Sequence, residues 1–401
     1  MGRRMPQRHD ALPASSGPSK RTHIRIGYVS ADFYNHATVA LIIGLLEHHD
    51  RTCFKTYAYS FSPNDNSPLR GRLINAVDSF VDVRLLAEVA IAKRIRQDDI
   101  DILIDLKGYT LDSRPAIFSM RPAPIQINFL GYPGTMGTRF IDYIIGDSVV
   151  TPMCHSEYYS EQIVHLPHTY QPNDCGRHIA NTPTRESVGL PDGHFVYCCF
   201  NNNYKITPDV FCLWMRLLKA TDRSVLWLLE TSATAKKNLL REAADHGIAS
   251  DRIIFAPYVP VEQHLARMQV GDLFLDTLPY NAHTTASEAL WAGLPVLTCL
   301  GESFSGRVAA SLLQAIGLPE LITTSLNAYE KRAIELARNP QEITALREKL
   351  ISNRMTSPLF DTKRYTKDFE SALRRMVQIN DAGRPPEAFI VSDGDGSQPE
   401  V

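Results

Sequence analysis

Cysteine is sparse and poorly arranged: seven residues spread over 401 positions, an odd number with no C-x-x-C pair. Neither a disulfide framework nor a structural zinc site is expected from that pattern. Cys198, Cys199 and Cys299 sit inside apolar runs and read as small buried hydrophobes. An excess of charge of either sign is also missing. The formal net charge is −2, which gives no reason to expect nucleic acid or an anionic membrane as a partner. No apolar run is long enough to cross a bilayer, and the start carries no signal-peptide pattern. A cytoplasmic protein is therefore expected. Acidic pairs are scarce as well. The D-x-D candidates are Asp99-Ile100-Asp101, at the entry to a strand, and Asp393-Gly394-Asp395, in the tail. Both read as solvated charges, so no metal site and no cofactor are expected.

What is present is ordinary in amount and informative in order. The hydrophobic share is 44% and the charged share 21%, normal for a globular chain, and the length suits two α/β domains. Residues 1–22, rich in Arg, Pro and Ser, read as a flexible arm. Strand-like runs then alternate with amphipathic helical stretches, from HIRIGYVS (23–30) to QIVHLP (162–167). The segment 168–191 holds three prolines and no apolar period, and reads as a linker. The alternation restarts at HFVYCCF (194–200) and runs to PVLTCL (295–300). The expected organisation is an N-terminal Rossmann-like domain over 23–167 and a C-terminal one over 192–360, to which the family resemblance given below assigns nucleotide-sugar binding. A helix over 361–380 is expected to return to the first domain, and 381–401 to be a disordered tail. Short apolar strands between helices argue for parallel sheets covered on both faces. Two such domains place a ligand cleft at the carboxyl ends of their strands.

Four strand-to-helix turns carry residues suited to chemistry. In LDTLPYNAHTTASEALWAGLPV (275–296) a strand gives way to a loop, and Thr284-Thr285 open a helix. Unpaired N–H groups, the helix dipole and two hydroxyls make such a start a phosphate site, with Glu288 one turn in and able to accept from a ribose. A plain threonine cap with a solvated glutamate explains the same residues. In CCFNNNYKITPDV (198–210) a strand runs into Asn202 and Lys205, where a lysine could neutralise a diphosphate leaving group or simply be solvated. In GYVSADFYNHATVALII (27–43), Asp32, His36 and Thr38 share one loop. In RPAPIQINFLGYPGTMGTRFIDYII (121–145), Gly131 and Pro133 stand where a backbone could come close to a sugar.

The blocks GYVSADFYNH, LKGYT, RPAPIQINFLGYPGT, FNNNYKI, SVLWLLE, RIIFAPY, HTTASEALWAG, GESFSGRVAASLL and SPLFDTKRY follow one another over 23–378. In this order they resemble the catalytic region of the O-linked N-acetylglucosamine (O-GlcNAc) transferases, of bacterial type without the tetratricopeptide repeats. The resemblance implies a GT-B fold, with two Rossmann-like domains facing across a cleft. It also implies an inverting, metal-independent enzyme moving a sugar from UDP-GlcNAc to Ser or Thr hydroxyls of proteins. On this resemblance His36 matches the active-site histidine, Asp32 an aspartate considered as the base, and Lys205 the lysine that meets the diphosphate. Thr38, Gly131 and Pro133 match the sugar side. His264 matches a histidine stacked on uracil beside the backbone of Tyr258 and Val259, with Arg267 at the same base. His283, Thr284 and Thr285 match the pyrophosphate loop, and Glu288 replaces a ribose-holding aspartate. The sequence departs from the family at Val261, Asn202 and Tyr280. It also departs in carrying no repeat superhelix, which leaves room for a separate tetratricopeptide-repeat protein to bring the acceptor. A GDP-fucose donor and a non-catalytic donor-binding remnant are the rival readings.

Overall fold

The computed structural model describes residues 22–393. Residues 1–21 of the expected arm, the end of the tail from 394, and the second half of the Asp393 D-x-D lie outside the described residues. The alternation read from the sequence forms two compact units. One runs to Cys175 and takes the chain up again from Asp361; the other is Gly176–Phe360.

In the first unit the chain runs β1 (Ile24–Ser30), α1 (Ala37–His48), β2 (Phe54–Ser60), α2 (Pro68–Ala76) and β3 (Ser79–Asp82). It continues through α3 (Glu88–Gln97), β4 (Ile102–Asp105), α4 (Ala116–Ser119), β5 (Ile125–Asn128), β6 (Tyr143–Gly146) and β7 (Gln162–His165). The second unit opens with β8 (Phe195–Cys199), α5 (Pro208–Ala220), β9 (Ser224–Leu229), α6 (Ala233–Asp245), β10 (Ile253–Ala256) and α7 (Val261–Met268). It closes with β11 (Leu273–Leu275), α8 (Thr284–Ala292), β12 (Val296–Cys299), α9 (Val308–Ala315), β13 (Ile322–Thr323), α10 (Leu326–Arg338) and α11 (Pro340–Asn353). The chain then adds α12 (Thr362–Asp381) and β14 (Phe389–Ile390) to the first unit.

Both sheets are parallel. The first has the order β14-β7-β6-β5-β4-β1-β2-β3, the second β10-β9-β8-β11-β12-β13. In each, the chain winds outward from one strand, returns, and winds the other way. That reversal leaves one switch point per unit, between β1 and β4 and between β8 and β11. Loops leaving two adjacent strands at a switch point diverge to opposite faces and open a crevice between them.

The central strands are apolar along their whole length because both faces are covered: β4 and β5 are fully buried. α12 packs as an amphipathic helix, its Tyr365, Phe369, Leu373 and Met376 joining Val39, Ile43, Leu46 and Phe129 in one core. Burying each such side chain contributes about 1.5–3 kcal/mol. A buried polar chain adds direction to this docking. The Tyr28 hydroxyl lies 2.7 Å from His49 Nε2, and His49 Nδ1 lies 2.9 Å from Glu370 Oε1.

One segment differs from the sequence reading, while the boundary between the units, Cys175 to Gly176, falls inside the expected linker 168–191. Polar groups of that linker have partners inside the units. Tyr170 N–H donates to Asp147 Oδ2 at 2.8 Å, and Arg185 pairs with Asp272 at 2.8 Å. Residues 381–393, expected as tail, carry β14, which extends the first sheet through Phe389 opposite Val164. No helix among the described residues is long and apolar enough to cross a membrane.

Candidate functional site

Each switch point carries a cluster of charge. In the first unit, the apolar β1 ends and the chain turns at Asp32, whose N–H donates to Ser30 Oγ at 2.9 Å. Asp32 is buried, and both its oxygens are taken. Lys107, just beyond β4, donates to them at 2.9 and 2.8 Å, and the Thr38 hydroxyl donates at 3.3 Å. His36 caps α1: its Nδ1 accepts the Thr38 N–H at 3.2 Å and lies 3.7 Å from Asp32 Oδ2. An accepting Nδ1 places the ring proton on Nε2. Burial lowers the histidine's pKa, Asp32 opposes that shift and Lys107 reinforces it. A neutral ring with its Nε2–H turned away from the cap is a hydrogen-bond donor.

Lys107 is the residue that the motif reading passed over, although LKGYT was in view. Its own backbone is fixed by Asp105, which accepts the N–H groups of Lys107 and Gly108 at 2.8 and 3.0 Å. Burial pushes Asp105 up to about 6. Gly131 lies against the same turn: a Cβ there would stand 1.8 Å from Leu106 O. The glycine is thus required by the chain's own backbone. Pro133 follows in a tight turn closed by Gly134 N–H to Tyr132 O at 3.0 Å.

In the second unit, Asn202 caps the short 3₁₀ turn that carries Lys205. Lys205 Nζ donates to Asn281 O at 2.8 Å and sits 4.2 Å over the Tyr280 ring. Burial lowers its pKa to about 8, with Asp276 pulling the other way. Asp276, at the end of β11, pins the following loop by accepting from Thr277 N–H, Ala282 N–H and the Thr298 hydroxyl at 2.8, 2.6 and 2.7 Å. Its burial raises its pKa to about 6. Tyr280 stacks on His283 with ring centroids 4.8 Å apart. His283 donates from Nε2 to Ser305 O at 3.1 Å, and burial holds it down at about 3.

His283 is the N-cap residue of α8, so Thr284 and Thr285 occupy the first turn, where no side chain caps the helix. The N-cap is thus His283 and not a threonine, and no side-chain cap competes with an anion for the N–H groups there. Three buried polar atoms around Lys205 have no partner: Asn201 Oδ1, Asn203 Nδ2 and Asn281 Oδ1. Buried polar atoms without a partner are few in folded proteins, and each needs an explanation.

One helix earlier, Arg267 donates to His264 Nδ1 from Nε at 3.0 Å and Nη2 at 2.7 Å, and to the Pro257 carbonyl. His264 is held neutral at about 3 by burial and by Arg267. Its Nε2 lies 3.9 Å from Glu288 Oε2. Burial raises Glu288 to about 7, against the pull of Arg177. Tyr258 is exposed and Val259 half-exposed at the turn into α7. The second unit thus gathers Lys205, Tyr280, His283, Thr284 and Thr285 at one place and His264, Arg267 and Glu288 beside α8. Asn202 itself stays exposed. No group of three or more His, Cys, Asp or Glu among the described residues is arranged to hold a metal. Asp99 and Asp101 both face Arg25 at the amino end of β1.

With that geometry in hand, the comparisons are specific. The family model described as glycosyl transferase family 41 matches residues 9–180 and 172–369. A probable UDP-N-acetylglucosamine–peptide N-acetylglucosaminyltransferase of Arabidopsis thaliana, SEC, is 40% identical over 93% of this chain and 39% of its own length. The Caenorhabditis elegans UDP-N-acetylglucosamine–peptide N-acetylglucosaminyltransferase is 30% identical over 90% of this chain and 41% of its own. The chain therefore spans about two fifths of these curated relatives. The solved O-GlcNAc transferase of Thermobaculum terrenum matches with a TM-score of 0.86 and 33% identity, over 92% of this chain and 71% of that one. The α/β class and the GT-B type of fold expected from the sequence are met.

Proposed function

The chain belongs to glycosyl transferase family 41, and on that premise we propose that it moves GlcNAc from UDP-GlcNAc to Ser or Thr hydroxyls of proteins with inversion and without a metal. The observation that carries the reading is the desolvated Lys205, poised over a loop with orphaned polar atoms at an uncapped helix start. As the acceptor hydroxyl oxygen bonds to the anomeric carbon and its proton passes to solvent, the bond to the diphosphate breaks and negative charge grows on the leaving UDP. An ammonium partly withdrawn from water and held in place meets that charge with little reorganisation, and the α8 N–H groups add to it. These groups do what a divalent ion would otherwise do, so turnover survives chelation by EDTA. His264 offers a flat neutral face for uracil, and Glu288 an acceptor for ribose hydroxyls. His36, a neutral donor, serves the sugar-phosphate end of the donor. Asp32, with both oxygens committed, acts as the holder of Lys107 and Thr38 rather than as the proton acceptor.

The names of the curated relatives support a peptide acceptor, brought by a separate tetratricopeptide-repeat protein in this proposal. The free state of all seven cysteines fits a reducing, cytoplasmic setting. The test supplies purified protein with UDP-GlcNAc or GDP-fucose and a mixture of soluble proteins, and reads nucleotide release together with sugar on protein. Release of UDP with GlcNAc on Ser or Thr is expected. GDP release alone would move the chain to a fucosyl donor, and tight UDP binding without turnover would leave a donor-binding protein.

A further inference from the structure

Thr284, Ser287, Glu288 and Trp291 stand three and four residues apart on α8 and therefore share one face of it. That stripe runs from the helix start proposed for the diphosphate to a buried tryptophan. Arg177, inside the stretch 168–191 that reads as a linker, lies along it. Its Nη2 donates to Ser287 Oγ at 3.1 Å, and its guanidinium stands 5.6 Å from the centre of the Trp291 ring. Its backbone carbonyl accepts the Trp291 indole N–H at 3.1 Å, and Phe360 lies 5.9 Å from the same guanidinium. A planar cation tied to a hydroxyl and to aromatic rings is fixed in place. Glu288 follows Ser287 in the same turn, and the charges around it are few. α7 offers His264, held neutral, whose Nε2 lies 3.9 Å from Glu288 Oε2 and whose Nδ1 takes Arg267. α9 and β12, which also pack on α8, carry no charged side chain, only the buried Cys299 thiol. Arg354 donates to Trp291 O at 2.8 Å, at the far end of α8. Arg177 is the charge that pulls on the Glu288 carboxyl against its burial.

We propose that Arg177 is a positioning residue for the nucleotide: it holds the Ser287–Trp291 face of α8 and sets a positive charge beside it, so that Glu288 meets the ribose as a carboxylate. The inference rests on the donor reading above, because Arg177 acts through Glu288. A glutamate left to burial alone stays protonated at neutral pH and accepts less well from hydroxyls.

The test is a double-mutant cycle on UDP affinity, titrated calorimetrically into the full chain at a series of pH values. Arg177→Met keeps an unbranched chain against Trp291, and it is paired with Glu288→Gln and the double variant. At neutral pH Arg177→Met should weaken UDP by about tenfold alone and by less than about twofold beside Glu288→Gln. The rise of affinity with pH should move upward by about one unit. Arg177→Gln, which can still bond Ser287 but has no charge, should move it likewise, and Arg177→Lys should return it most of the way. An equal loss in both backgrounds would leave Arg177 a structural strap and overturn the proposal. So would wild-type affinity in both Arg177→Met and Arg177→Gln. If UDP failed to bind the wild type, the donor reading would fall, and melting would still decide the link between Arg177 and Glu288. A carboxyl raised in the folded state contributes stability while protonated, and that contribution is lost as pH rises through its folded value. Removing Arg177 carries that value higher, so the fall in melting temperature should extend to higher pH in Arg177→Met. The double variant should show no such extension. Parallel melting profiles for Arg177→Met and the wild type would overturn the link.

Discussion

The two switch points are built from the same residue types and left in opposite electrostatic states. At the first, Asp32 and Lys107 neutralise one another inside the unit, with Thr38 and the His36 cap closing the remaining valences. At the second, Lys205 rests on a carbonyl and an aromatic face, Glu288 stands 3.9 Å from a neutral histidine, and α8 starts uncapped. The carboxylate and ammonium of the first cluster are satisfied by one another, so that pair holds a shape, and the hydrogen-bond-donor role proposed above falls to His36. The second keeps charge desolvated and under-satisfied, which costs stability and is the usual mark of a site awaiting a charged partner. Both places hold Asp, His, Lys and Thr, and residue type alone does not tell these states apart.

The contrast breaks first at Lys107. Lys107→Met should strand Asp32 as an uncompensated buried charge and cost about 3–5 kcal/mol of stability. Adding Asp32→Asn should return most of it, because the loss is that of a broken pair. Equilibrium unfolding in urea reads both. If the single variant were as stable as the wild type, the first cluster would not be the closed pair described here. Next in size is Lys205→Ala, which has no carboxylate in hydrogen-bond contact to strand. Its melting temperature should stay near that of the wild type while kcat falls by about 10²–10³. A large loss of stability with modest loss of turnover would reverse the contrast between the two clusters.

The fold was readable because strand periodicity, helix starts and the family blocks all point the same way. What escaped was marginal or long-range. β3 is a half-exposed edge strand and β14 a two-residue addition inside AFIV (388–391), a short apolar run in an otherwise polar tail. Asp32, His36 and Thr38 were visible together because they are neighbours in sequence. Lys107 lies 75 residues from Asp32, and only the pairing of β1 with β4 brings them together. Asp276 stands where a strand gives way to a loop, and its three accepted hydrogen bonds depend on that loop returning to it and on Thr298 of the neighbouring β12. The sequence suggests that Gly131 lets a backbone come close to a sugar; the close approach in the structure is to the Leu106 carbonyl oxygen of the chain itself. Arg267 and His264 were named from resemblance, and their mutual hydrogen bonds lie beyond what spacing on a helix can show.

The smallest effect expected is also the sharpest test of the under-satisfied state, and it concerns Glu288. Burial holds its carboxyl at about 7, so at pH 6 it is mostly protonated and at pH 8 mostly a carboxylate. Ribose hydroxyls are donors, and a carboxylate accepts from two of them where a carboxylic acid accepts less well. UDP affinity of the wild type should therefore rise by about tenfold from pH 6 to pH 8, the linkage expected when the ligand selects the ionised form of a group titrating midway. Above about 8 the loss of the Lys205 proton works against binding, so a maximum is expected there. His264 and His283 are held at about 3 and do not titrate in this window. The terminal phosphate of UDP does titrate, near pH 6, so the ratio of wild type to Glu288→Gln is the quantity to measure. The carboxamide cannot ionise, and the variant should lose the part of the acid limb that belongs to the protein. Stability should move the other way. A carboxyl raised from its ordinary 4.5 favours the folded state only while protonated, and that contribution is lost as pH climbs through about 7. Glu288→Gln should then melt above the wild type at pH 8 and bind UDP more weakly there. Parallel pH profiles for the two proteins, in binding and in melting, would remove Glu288 from the donor site.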